Sequence, residues 1–104
     1  MRIQIDHDDH IRSGAARSEE IEATVRSALD RFGQNVTFVQ VHLSDENGPR
    51  FGADDKRCLM EARVAHHEPI AVSHRATNVE QAVSGAAGKL ERSIGSVLQR
   101  LRSH

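Results

Sequence analysis

Seven basic side chains in the second half of the chain are the residues best suited to bind a ligand. They are Lys56, Arg57, Arg63, Arg75, Lys89, Arg92 and Arg100. Helical spacing would place Lys89, Arg92 and Arg100 on one flank of the last helix, while strand alternation would place the other three arginines on an outer sheet face. The planar fork of arginine holds phosphate through two donors and stacks on bases. This chemistry suits a phosphate-bearing partner.

The distribution of charge along the chain favours the same surface. The net charge is −1 with histidine neutral, yet residues 1–55 hold 6 basic and 11 acidic side chains, whereas residues 56–104 hold 8 and 4. An anionic partner should therefore meet the second half. The competing interpretation is a solvated surface on which Glu61 and Glu91 pair with their neighbours. Residue type and spacing alone favour that ordinary surface.

Seven histidines raise the question of a metal site. His7 and His10 form a His-x-x-His pair, and His66 is followed directly by His67. A structural zinc site needs four ligands, and nothing in the sequence fixes the distance between these two pairs. We therefore expect polar loop histidines, with no metal and no other cofactor. His74 takes the inward phase of its strand and is expected at the edge of the core.

The chain carries no arrangement typical of catalysis. Its one cysteine, Cys58, takes the inward phase of a strand, where cysteine behaves as a small hydrophobe. A nucleophilic cysteine would need a neighbouring base and an open cleft. No Ser-His-Asp context, glycine-rich phosphate loop or pair of carboxylates can be argued from the sequence. We expect a protein that is not an enzyme and has no small-molecule substrate.

The composition is typical of one globular domain spanning residues 1–104. Hydrophobic residues make up 38% and charged residues 28%, which excludes a disordered chain, and 104 residues are too few for a multidomain enzyme. With three Phe and neither Trp nor Tyr, the core must be aliphatic, and only Phe, His or Arg can stack on bases. No apolar run indicates a signal peptide or a membrane span. We expect a cytoplasmic protein.

Hydrophobic periodicity predicts the first strands and helix. Ile3 and Ile5 alternate with polar residues in a short strand, and an apolar stripe indicates a helix over residues 18–32. Ser18 is its expected N-cap, with two glutamates in its first turn and Gly33 as its stop. Alternation then predicts strands over residues 36–43, 56–65 and 70–75. The inward residues of the first two of these are Val39, Val41, Leu43, Cys58, Met60, Ala62 and Val64.

The last helix is predicted over residues 78–102. Its start has two candidate caps, because Thr77 with Glu80 fits a capping box and Asn78 can cap by itself. An unbroken apolar stripe follows. Three glycines interrupt it, each costing about 1 kcal/mol of helix propensity against Ala. Either packing dominates or another group approaches the backbone at Gly85, Gly88 and Gly95.

The predicted element order is therefore β-α-β-β-β-α. A right-handed crossover makes the first two strands parallel, and the remaining strands form an antiparallel meander. Each helix has one apolar stripe and each strand one apolar face. The economical arrangement is an α+β fold of two layers, with both helices on one face of a four-stranded mixed sheet. Leu90 and Ile94 would then lie in the core, and Arg57 and Arg63 on the opposite face.

The element order and two segments resemble the ribosome hibernation-promoting factors, a family also described as ribosome-associated inhibitors or sigma-modulation proteins. The first segment is the third strand, residues 55–63 (DKRCLMEAR). The second is the apolar stretch of the last helix, residues 82–92 (AVSGAAGKLER), which contains the Lys-Leu-x-Arg core of the family. The resemblance covers nearly the whole chain. The chain looks like the short form, which lacks the dimerising second domain of the long form.

This resemblance implies a function and a partner. Members of the family bind the small ribosomal subunit near the decoding centre, overlap the positions of mRNA and tRNA, and idle the ribosome under stress. The resemblance therefore implies that the seven basic residues contact small-subunit rRNA, in a monomeric cytoplasmic protein that does not associate with membranes. The alternative is a protein-interaction module on the same fold, which uses the outer sheet face without appreciable affinity for RNA.

Overall fold

The computed structural model describes residues 1–7, 15–45 and 56–102. Four strands form one sheet in the order β1-β2-β3-β4. β1 pairs parallel with β2, and the other neighbours pair antiparallel, which confirms the predicted four-stranded mixed sheet. The strands are Arg2–His7 (β1), Val36–Asp45 (β2), Lys56–Val64 (β3) and Ile70–Ala76 (β4).

The central strands, β2 and β3, alternate between the core and the outer face as predicted. Leu43 lies opposite Cys58 and Val41 lies opposite Met60, and all four side chains are buried. Arg63, which lies on the other face of β3, is exposed. Because a slip of one residue would exchange the two faces of the strand, this burial pattern confirms the predicted register.

The first helix, α1 (Ala15–Leu29), begins three residues earlier than predicted and ends in a 3-10 turn, Asp30–Phe32. The prediction of Ser18 as the N-cap is wrong, because Ser18 lies within the helix. Two alanines, the strongest helix formers, begin α1 and carry it upstream of Ser18. Its first turn contains no acidic residue, contrary to the prediction. At the other end, Gly33 has a φ of −55°, so the helical segment ends without a residue in the left-handed conformation.

The second helix, α2 (Val79–Arg102), starts from one of the two predicted caps. The side-chain oxygen of Asn78 accepts a 2.8 Å hydrogen bond from the backbone N–H of Gln81, which is N-cap geometry. The Thr77 hydroxyl instead donates to the Gln81 side chain at 3.1 Å. Asn78 is therefore the N-cap of α2. The Thr77 hydroxyl bonds to Gln81 and does not form the predicted capping box with Glu80. At 1.5 Å per residue, α2 is about 36 Å long.

Both helices cover the same face of the sheet. α1 contributes Ile21, Val25 and Leu29 to the core, and α2 packs against β3, β4 and α1. This confirms the two-layer α+β fold. Neither described helix combines the length and the apolar character needed to cross a membrane. The buried residues of α2 are Val79, Ala82, Val83, Ala86, Ala87, Leu90, Ile94 and Val97.

Gly85 is where another group approaches the backbone of α2. The imidazole of His74, on β4, packs directly against Gly85, so a methyl group there would overlap the ring. At Gly88 and Gly95 a methyl group would make only ordinary contacts. His74 is half-buried at an inward position of β4, as predicted. Only Gly85, among these three glycines, is required by a close neighbour.

We expect Gly85→Ala to destabilise the protein, although alanine gains about 1 kcal/mol of helix propensity. Overpacking against the His74 ring costs about 1–3 kcal/mol, so the free energy of unfolding should fall by up to about 2 kcal/mol. Gly88→Ala should instead raise it. Urea unfolding measures both effects. In a double-mutant cycle, His74→Ala should relieve most of the Gly85→Ala penalty; a Gly85→Ala variant more stable than wild type would contradict this packing.

Cys58 is buried in the core on the inner face of β3. None of its surface is exposed, and burial raises the pKa of its thiol from 9.0 to about 12. Because the thiolate is the reactive form, this environment makes Cys58 chemically inert. The placement agrees with the expectation that Cys58 packs as a small hydrophobe.

Alkylation by iodoacetamide tests the burial of Cys58. We expect no modification of the native protein at pH 8 and rapid modification in urea. The folded state keeps the thiol protonated, whereas the unfolded chain ionises it near pH 9.0. The contribution of this group to stability is therefore complete below about pH 9 and decreases as the pH rises above it. Native labelling at the rate of a free thiol would show that the core face of β3 is open.

Candidate nucleic-acid interface

The structure places the seven predicted basic residues in three locations. The first, which we call the α2 flank, lies along α2. The second, which we call the outer sheet face, is the side of the sheet that the helices leave uncovered. The third is the end of the β2–β3 ladder. The locations are the α2 flank (Lys89, Arg92 and Arg100), the outer sheet face (Arg57, Arg63 and Arg75) and the end of the β2–β3 ladder (Lys56).

The α2 flank carries three exposed cations. Nζ of Lys89 donates a 2.9 Å hydrogen bond to the backbone carbonyl oxygen of Ser73, so this flank lies beside the edge strand β4. Arg100 follows Lys89 by about three helical turns, roughly 16 Å along the axis at nearly the same azimuth. Arg92 lies between them along the helix axis. The three cations therefore form a row along one edge of the molecule.

The α2 flank keeps its positive charge. Within residues 1–7, 15–45 and 56–102, no carboxylate lies at ion-pair distance from its three cations. Glu91 pairs instead with Arg31 of the 3-10 turn, at 3.6 Å between Oε2 and Nε. The ordinary-surface interpretation needed Glu91 to neutralise its neighbours. Glu91 therefore does not pair with the cations of the α2 flank, as that interpretation assumed.

On the outer sheet face, Arg57 and Arg75 lie directly opposite each other across the β3–β4 ladder. Arg57 is half-buried and Arg75 is exposed. Like charges in opposed positions repel each other, and an anion near both would be attracted by two guanidinium groups. Arg57 and Arg75 also each interact with another group of the protein.

Lys56 is the weakest member of the predicted set. Its Nζ lies 3.2 Å from Oδ2 of Asp45, and the two side chains are only 25% and 8% exposed. A half-buried pair of this kind balances the ammonium charge within the chain. Lys56 therefore contributes less to an anion site than the exposed arginines do.

Arg63 belongs to a cluster that the sequence analysis missed. Its guanidinium carbon lies 5.5 Å from the centre of the Phe38 ring, and that of Arg2 lies 6.0 Å from the same ring. Strand pairing explains the cluster, because Arg2 on β1 and Arg63 on β3 are both register partners of Phe38 on β2. Phe38 precedes the inward residue Val39 on β2, so strand alternation is a signal that could have placed it outward. Its two neighbours, however, depend on pairing between distant segments.

The described histidines are not gathered into a cluster of three or more ligand side chains. Among the residues that the structure describes, no group of three His, Cys, Asp or Glu side chains could hold a metal ion. His10, one half of the predicted His-x-x-His pair, lies outside those residues. His66 has a φ of 64°, and Nδ1 of His67 shares a 2.7 Å hydrogen bond with the carbonyl oxygen of Glu68. His66 and His67 thus occupy the turn between β3 and β4.

The comparisons with known proteins agree with this fold. The chain belongs to the Sigma 54 modulation protein / S30EA ribosomal protein family, whose model matches residues 3–102. This confirms the family resemblance. No curated protein sequence matches closely enough to count as a relative.

Several solved structures share the fold, among them the following two. The crystal structure of the Protein Y N-terminal domain from Thermus thermophilus has a TM-score of 0.71 and 18% sequence identity, over 90% of this chain and 96% of that one. A ribosomal subunit interface protein from Coxiella burnetii has a TM-score of 0.71 and 13% identity, over 95% and 99% of the two chains. At these identities the likeness concerns the fold.

Proposed function

We propose that this protein is a ribosome hibernation factor that binds small-subunit rRNA near the decoding region and inhibits translation under stress. The observation that carries the proposal is the α2 flank, a row of exposed cations with no carboxylate paired to it in the described chain. Membership of a ribosomal protein family supports the ribosome as the partner. The shared fold of the Coxiella burnetii subunit interface protein also supports it.

The proposed mechanism is electrostatic and steric. Each cation that contacts a phosphate releases counterions, so affinity grows with the number of contacts and falls with salt. The hydrogen bond from Lys89 to Ser73 holds one cation in place against β4. The two-layer body then fills space that mRNA or tRNA needs. In this proposal the protein acts in the cytoplasm as a monomer of one domain, without catalysis, cofactor or membrane contact.

The acidic first half of the chain supports a single orientation on the ribosome. Glu19 and Glu20 are exposed on α1, where they repel rRNA phosphates. The α2 flank attracts the same phosphates. A protein with charge separated in this way is steered so that its basic side arrives first.

A protein-interaction module on the same fold is the second candidate. The net charge of −1 favours it, because nonspecific RNA affinity depends on excess positive charge. Such a module would use the outer sheet face, where Leu59 lies half-buried beside Gln40 and Glu61. It predicts binding to a protein and none to rRNA.

Co-sedimentation with purified ribosomal subunits separates the two candidates. We expect the protein to pellet with small subunits in preference to large subunits at about 50 mM salt, and the bound fraction to fall steeply towards about 200 mM. The salt dependence distinguishes phosphate contacts from apolar docking. Failure to pellet with small subunits even at low salt would overturn the hibernation-factor proposal and favour the interaction module.

A further inference from the structure

We propose that the outer sheet face binds a short single-stranded segment of RNA, with Phe38 stacking on a base and Arg2 and Arg63 contacting phosphates. We call these three residues the Phe38 cluster. The inference rests on the proposed function for the source of the RNA, which is rRNA. It concerns a different surface from the α2 flank and can succeed or fail separately.

The Phe38 cluster lies on the side of the sheet that neither helix covers. Both helices pack against the opposite side, in the shared core. Phe38 is half-buried, whereas Arg2 and Arg63 are exposed. A base can therefore reach the ring by displacing arginine side chains, with no rearrangement of the fold. Every base has a π face, so an accessible ring stacks on RNA with little dependence on sequence.

The guanidinium groups of both arginines lie over the ring of Phe38. Their distances from the ring centre, 6.0 Å and 5.5 Å, are near the outer limit of a cation–π contact, which is about 6 Å. Arg31 shows the contrasting case, since it lies 4.3 Å from the centre of the buried Phe32 ring. At these longer distances the guanidinium groups are held only weakly over Phe38, so a base can take their place on the ring while they turn towards its phosphates.

The charge of the outer sheet face selects an anionic partner. The acidic residues among its outward positions are Asp6 and Glu61. The carboxylate of Asp6 already accepts hydrogen bonds from the side chains of Gln40 at 2.9 Å and Gln4 at 3.5 Å. Counted over the described residues, four arginines against two carboxylates give this face a formal charge of +2, in a chain whose overall charge is −1. Its arginines are Arg2, Arg57, Arg63 and Arg75.

Single-stranded RNA matches this combination better than an acidic peptide does. Carboxylates would satisfy the arginines but would offer no flat surface to the ring of Phe38. A nucleotide offers both, because its phosphate fits the guanidinium fork and its base stacks on the ring. Bases within a duplex are already stacked on each other, so the fitting form is an unpaired segment.

NMR of the full chain tests the inference with two anionic probes, pentauridine and pentaglutamate. The chain has three phenylalanines and no other benzenoid or indole ring, so the Phe38 signals can be assigned directly. We expect pentauridine to shift the Phe38 ring protons upfield through stacking. Pentaglutamate should shift the backbone signals of the arginines but leave those ring protons unchanged. Equal effects of the two probes would overturn RNA as the occupant.

Substitutions separate the ring from the charges. Phe38→Leu should weaken pentauridine binding at least about fivefold, whereas Phe38→Tyr, which keeps the ring, should bind within about twofold of wild type. The double variant Arg2→Gln/Arg63→Gln loses two phosphate contacts, so the slope of log affinity against log salt should decrease by about two. The matched control, Arg17→Gln with Arg26→Gln on α1, removes the same charge away from this face and should change little.

Subunit binding distinguishes failure of this inference from failure of the proposed function. If small subunits bind Phe38→Leu and Phe38→Tyr as tightly as wild type, and pentauridine does not shift the Phe38 ring, the inference is wrong and the proposed function stands. If wild type fails to bind small subunits, the proposed function is wrong. Upfield shifts of the Phe38 ring would then still show a site for unpaired RNA, with a source other than the ribosome.

Discussion

The double variant Lys89→Glu/Arg92→Glu should lose most of its binding to small ribosomal subunits. Two phosphate contacts are removed, and two carboxylates are placed where phosphates approach. If each lost charge-assisted contact is worth about 1.5 kcal/mol, affinity should fall about 100-fold or more. The slope of log affinity against log salt should decrease by about two. Co-sedimentation across a salt series measures both quantities.

Two controls accompany this charge reversal. Lys89→Glu also removes the hydrogen bond to Ser73, so the variant Arg92→Glu/Arg100→Glu should show the same loss with that bond intact. Reversal of Glu19 and Glu20 to lysine should not weaken binding. These glutamates lie beyond the first turn of α1, so the helix dipole adds little to their effect on stability. Wild-type binding by both α2 variants would exclude the α2 flank as the docking surface.

Leu90→Ala should cause the largest loss of stability among the changes considered. Leu90 is fully buried on α2 and belongs to the core cluster that α2 shares with the sheet and α1. Leucine-to-alanine changes in cores cost about 2–5 kcal/mol, because they remove apolar contacts and leave a cavity. The midpoint of thermal unfolding should fall by about 10 °C or more. Circular dichroism during heating measures this directly.

Leu101 supplies the matched control for Leu90 on the same helix. Its side chain is 44% exposed near the end of α2. Leu101→Ala should therefore change the free energy of unfolding by no more than about 0.5 kcal/mol. Equal losses in the two variants would mean that α2 does not present a single apolar face to the core.

The pattern of buried faces could be predicted because it depends on period alone. Alternation placed Cys58 and Met60 inward and Arg63 outward, and helical spacing placed Leu90 in the core. The helix starts were harder to predict, because several polar side chains can accept hydrogen bonds from the free N–H groups of the first turn. Asn78 capped α2, whereas Ser18 lies inside α1. Strong local helix propensity extended α1 past the residue that was predicted to cap it.

The candidate site could be predicted in residue type but not in its neighbours. The sequence identified Arg63 and Lys89 as exposed cations. It did not indicate that Arg63 shares the Phe38 ring with Arg2, because that contact joins strands that are far apart in the chain. Likewise the contact of Lys89 with Ser73 requires α2 to lie along the edge strand β4. Tertiary packing determines both.

Chemical probing of small-subunit rRNA, with and without the protein, tests the proposed function most directly. We expect wild type to protect nucleotides near the decoding region at low salt, and this protection should disappear with Arg92→Glu/Arg100→Glu. Leu101→Ala, which changes α2 without changing its charge, should protect the same nucleotides as wild type. An unchanged reactivity pattern in the presence of saturating wild-type protein, or protection confined to a region remote from the decoding site, would contradict the proposal.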